Sequence, residues 1–97
     1  MTHTFTPDRV MVFAAKVFTP DELVGMWELA RDRGDTHQAV FYLNVLALRA
    51  PCDVPAVGAL ARALAAIHRA RGELLSAMQY EDKAKEVDVG AYSEHEA

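Results

Sequence analysis

One cysteine, four prolines and five glycines in 97 residues exclude several architectures at the outset. A lone Cys52 cannot build a disulfide framework or most cysteine-based metal sites, and it is expected as a free, partly buried thiol in a turn. No apolar run approaches the roughly 20 residues that span a bilayer. The amino terminus lacks the charged start and apolar core of a signal peptide, so a cytoplasmic location without a membrane partner is expected. No segment alternates apolar and polar residues between turn signals, which argues against strands. Ten Lys and Arg face fourteen Asp and Glu, and a net charge of −4 disfavours long-range attraction to nucleic acid.

Catalytic groupings are missing as well. His3, His37, His68 and His95 are scattered, with no His-x-x-x-His, His-Glu-x-x-His or Cys-His set, so no metal is expected. His68, within a helix, reads as a packing residue rather than a base. The chain has no Gly-x-Ser-x-Gly elbow, phosphate-cradling glycine loop or dinucleotide fingerprint. Acid pairs such as Asp21-Glu22, Glu81-Asp82 and Glu94-Glu96 read as solvated charges, because a general acid and base need burial to separate their pKa values. Catalysis, cofactors and a small-molecule substrate are therefore not expected.

What the chain does contain is helix punctuation. Phe5-Thr6-Pro7-Asp8 and Phe18-Thr19-Pro20-Asp21 are near copies, each with a threonine cap, a proline at the first helical position and an acid in the first turn. Glu22 completes a capping box with Thr19, and Phe18 with Leu23 forms a hydrophobic staple. Helices are predicted over residues 7–17, 20–33, 36–49, 54–71 and 73–87, with 90–97 as a flexible acidic tail. Turns of two to five residues imply antiparallel neighbours. The expectation is an all-α single domain over residues 1–89, in which a capping helix precedes two hairpins, 20–51 and 54–89.

The two hairpins are related. Arg31-Asp32-Arg33-Gly34-Asp35 returns as Arg69-Ala70-Arg71-Gly72-Glu73, each closing one amphipathic stretch and opening another. Arginine near a helix carboxyl end, glycine in the left-handed cap and an acid at the next helix start make a coherent corner. Matching the glycines puts Ala39 on Ala77 and Tyr42 on Tyr80, and Pro51 follows the first copy. Over residues 20–89 this resembles the tetratricopeptide repeat. Trp27 and Leu46 stand where that family favours small residues, Glu81 where it favours an aromatic, and the spacing exceeds its period of roughly 34. The surplus falls around Cys52-Asp53-Val54-Pro55. The resemblance implies a peptide groove on the first helices of the hairpins, with Arg31, Arg62 and Arg69 holding a carboxylate-bearing segment.

Apolar residues also exceed what two hairpins can cover. Helix one, Val10 to Phe18, and helix three, Ala39 to Leu48, are apolar nearly all round, which demands neighbours on more than one side. About three repeat units are normally needed for stability, and this chain has two and a half. Met11, Phe13, Val17 and Trp27 are therefore expected either to cap the stack or to form a surface for a protein partner or a homodimer. The leading functional expectation is a small adaptor or chaperone-like subunit. The alternative is a compact inhibitor encoded by a phage or mobile element and acting by binding a host protein.

Overall fold

Thr19 and Asp35 fix the register of everything that follows. In the computed structural model, which describes residues 9–96 and side chains through residue 88, the elements are α1 (Arg9–Val17), α2 (Pro20–Asp32), α3 (Thr36–Arg49), α4 (Val54–Ala70) and α5 (Leu74–Glu96), with no strand among the described residues. The start expected from Thr6-Pro7 lies outside them. At α2 the capping box forms in full: the Glu22 amide donates to Thr19 Oγ1 at 3.2 Å, and the Thr19 amide donates to Glu22 Oε1 at 3.0 Å. The Thr19 amide first, and then the Thr19 hydroxyl, hold the Glu22 carboxyl below its ordinary value, since hydrogen bonds from both favour the ionised form. Asp35 caps α3 by accepting from the Gln38 amide, and Asp53 caps α4 by accepting from the Ala56 amide.

The two glycine corners are copies of one hydrogen-bond pattern. Gly34 and Gly72 have φ of 75° and 78°, the left-handed region that only glycine enters without strain. The Gly34 amide donates to Arg31 O and the Asp35 amide to Ala30 O; 38 residues later the Gly72 amide donates to Arg69 O and the Glu73 amide to His68 O. This is the Schellman arrangement, which satisfies carbonyls at the end of α2 and of α4. The next bond repeats too, Ala39 to Asp35 O and Ala77 to Glu73 O, both at 3.0 Å.

Outside the corner the copies differ in length and in bulk. α2 has 13 residues and α4 has 17, so the longer spacing is taken up as one extra turn at the start of α4, which leaves its faces in phase. Buried positions coincide at the 38-residue offset: Leu23 with Ala61, Trp27 with Ala65, Leu46 with Ala84. The first copy fills those places with large side chains and the second with methyl groups. Helix separation follows the size of the side chains between them, so α4 and α5 approach through Ala61, Ala65, Ala77 and Ala84, and no Cβ intervenes where Gly58 meets Val87 and Asp88 of α5.

α4 with α5 and α2 with α3 are the most extensive pairings. The start of α4 lies against the later part of α5, where Gly58 meets Val87 and Arg62 pairs with Asp88, and the end of α4 lies against its earlier part, where Arg69 pairs with Glu81. α3 touches α1, α2 and α4, as its apolar circumference requires. The core joins Ala14, Leu23, Val45, Leu46 and Ala59 from four helices. At one end Arg49 ties three elements together, donating to Phe18 O at 2.6 Å and pairing with Asp53 at the start of α4.

Two expectations need correction. α5 continues to Glu96 instead of ending near Val87, so residues 90–96 belong to the helix. Ala91, Glu94 and Glu96 favour helix, no proline interrupts, and an interior glycine such as Gly90 costs only about 1 kcal/mol. Cys52 is exposed in the turn between α3 and α4, not partly buried, because the turn stands clear of the helices that flank it.

Candidate functional site

The residues expected to form a partner surface separate into inward and outward sets. On α1, Met11, Ala14, Ala15 and Phe18 recur at helical spacing and pack toward the core. Met11 is half-buried there, so it belongs to the supporting stripe and not to the outer one. Phe13 and Val17 face outward, with Phe13 65% exposed, whereas Val10, also exposed, borders α3 beside His37 and Tyr42. α1 therefore caps and displays at once: one stripe covers α3 while the other stays uncovered.

Trp27 is not on the surface. At 2% exposure it is the largest fully buried side chain, on the stripe Leu23, Trp27, Ala30 that α2 turns inward. The i, i+4 spacing from Leu23 carried that signal, which the Glu28 and Arg31 beside it obscured. Trp27 instead supports an arginine: the Arg31 guanidinium lies 4.8 Å from its ring centroid, a cation–π geometry, and also pairs with Asp32 at 3.2 Å.

Arg31, Arg62 and Arg69 do not converge. Arg62 and Arg69 lie on the side of α4 that faces α5, each neutralised there by Asp88 or Glu81. Their charge is spent within the molecule, and exposed pairs of this kind contribute roughly 0–1 kcal/mol. Between them on the same helix, the His68 ring stacks on Tyr80 at 5.3 Å, nearly coplanar, and its Nδ1 lies 3.4 Å from Glu73 Oε1. His68 thus packs α4 against α5.

The cleft of interest forms where α2, α3 and the end of α4 meet. Trp27, Ala39, Val40, Leu43, Ile67 and Ala70 supply an apolar floor, and Arg31 and Arg71 stand at the rim. No acidic residue lines it. Its volume, about 350 Å³, falls at the small end of the roughly 300–1,000 Å³ usual for ligand sites. Among the described residues the Arg71 side chain forms no ion pair. Arg71 precedes the glycine of the second corner, as Arg33 does in the first, so the corner that reverses the chain also sets this cation beside the cleft.

A second apolar surface was not anticipated from the sequence. The first turns of α5 expose Leu74, Leu75 and Met78, with Leu75 79% exposed. The signal was the spacing of Leu74 and Met78, four residues apart, beside Ala77, which is the residue that faces α4.

Among the described residues no three His, Cys, Asp or Glu side chains gather where a metal would bind, and no helix is long and apolar enough to cross a membrane. No known protein family matches the sequence, and no characterised protein or solved structure matches the chain.

Proposed function

We propose that the protein is a non-catalytic protein-binding module, a small tetratricopeptide-like adaptor or chaperone-like subunit. Its cleft between α2, α3 and α4 takes an apolar side chain of a partner beside a carboxylate. The observation that carries this reading is the composition of the cleft: an apolar floor, two arginines at the rim and no acid among the lining residues. An apolar anchor would lose water against Val40, Leu43 and Ile67, which line the cleft above the enclosed Trp27, while a neighbouring carboxylate would meet the forked guanidinium of Arg71. The duplicated corners support the kinship with helical repeats, whose units present surfaces of this kind.

The test is a titration with two labelled peptides, one carrying a leucine flanked by aspartates and the other the same leucine flanked by lysines. The acidic peptide is expected to bind the native chain at least tenfold more tightly. Arg71→Glu should abolish that preference with helical content unchanged, because a lost charge-assisted bond costs about 1.5–3 kcal/mol, or roughly ten- to a hundredfold. Equal binding of the two peptides, or indifference to Arg71→Glu, would overturn the assignment. Charge reversal at Arg62 and Arg69 should leave peptide binding intact, since both face α5.

A further inference from the structure

The helix stack is apolar at both ends and carries opposite charge on the two faces. α1 touches only α3 among the described elements, and α5 touches only α4, so each has an outer face with no neighbour. On α1 that face carries Phe13 and Val17 beside Arg9 and Lys16, and Arg9–Val17 contains no acid at all. On α5 it is Leu74, Leu75 and Met78, followed one turn later by Asp82, while Glu73 and Glu81 turn toward His68 and Arg69 of α4. Asp82 has no ion-pair partner among the described residues.

From these matching properties we infer that the chain associates head to tail with a second copy of itself, α1 of one molecule seating on the first turns of α5 of the next. The lengths agree. α1 has nine residues, and at about 1.5 Å per residue it covers the stretch from Leu74 to Asp82. Lys83 and Lys85 lie beyond that stretch. With the helices running oppositely, Arg9 meets Asp82, while Phe13 lies over Met78 and Val17 over Leu74. Pairing of like ends is disfavoured: α1 on α1 brings the cations Arg9 and Lys16 together, and α5 on α5 leaves Asp82 without a cation to meet within Leu74–Asp82. A contact between two different surfaces does not close on itself in a dimer, so assembly continues with concentration. The cleft is on neither face, so this association and peptide binding are independent.

Sedimentation velocity over a concentration series tests it with two exposed substitutions, Phe13→Asp and Met78→Asp. The native chain should grow past a dimer as concentration rises, and each variant alone should sediment as a monomer with native helical content. An equimolar mixture of the two should form a complex that stops at two chains, because one variant keeps a sound α5 face and the other a sound α1 face. Persistent assembly of Met78→Asp alone would mean α1 pairs with α1, and persistent assembly of Phe13→Asp alone would mean α5 pairs with α5; either overturns the inference. So would a native chain that stays monomeric up to about 1 mM, the weak end of the affinity scale, or a mixture that fails to form the two-chain complex.

Discussion

Trp27→Ala is expected to cost about 3–5 kcal/mol, the range for deleting a buried aromatic. Domains of this size have roughly 5–15 kcal/mol in total, so one substitution removes a large part of what holds the fold. Trp27 is fully enclosed, and its loss opens a cavity under α2 beside Val40, Leu43 and Ile67. Arg31 loses its aromatic support at the same time. Urea unfolding followed by circular dichroism measures the change, and Trp27→Phe should recover a good part of it. Had Trp27 served a partner surface, truncation would change stability little; a loss under 1 kcal/mol would contradict its place in the core.

The mirror experiment is Ala65→Trp. Ala65 occupies the same place in the second copy, 3% exposed, on the face of α4 that carries Gly58 and Ala61. There the neighbouring buried side chains are alanines, including Ala77 and Ala84 of α5, and the helices have no room for an indole. Overpacking typically costs about 1–3 kcal/mol. For a chain of this length each kcal/mol lowers the midpoint by roughly 4–8 °C. The double variant Trp27→Ala with Ala65→Trp should show the sum of both losses, because the cavity opens between α2, α3 and α4 while the excess volume wedges α4 from α5. Recovery of stability in the double variant would mean the two helix pairs are interchangeable, contrary to their unequal packing.

The elements legible in the sequence were those written in backbone chemistry. Thr19, Pro20 and Glu22 form a start signal whose partners lie within three residues, and Gly34 and Gly72 mark positions of positive φ, so both follow from local spacing alone. Side-chain destinations were harder, because they depend on which helix arrives opposite. Arg62 and Arg69 share a face in any helical projection, yet only the approach of α5 reveals that Asp88 and Glu81 are waiting there. Arg71, one residue before the corner glycine, stays beside the cleft for the converse reason: no acid on a neighbouring helix reaches it. The exposed start of α5 is hidden in the sequence because Leu74, Leu75 and Met78 surround Ala77, and apolar residues around a small one usually read as a buried stripe. Here the small residue makes the close contact with α4, and the large ones are left outside.

Matching corners at Gly34 and Gly72 join α2 to α3 and α4 to α5, and the cleft lies beside both. Scalar couplings across hydrogen bonds, measured by NMR on the native chain, test that duplication directly. They should appear from the Asp35 amide to the Ala30 carbonyl and equally from the Glu73 amide to the His68 carbonyl, with both Gly34 and Gly72 at positive φ. A coupling at the first corner alone, with helix running unbroken through Gly72, would contradict the relation between the two halves on which the cleft and the end surfaces both depend.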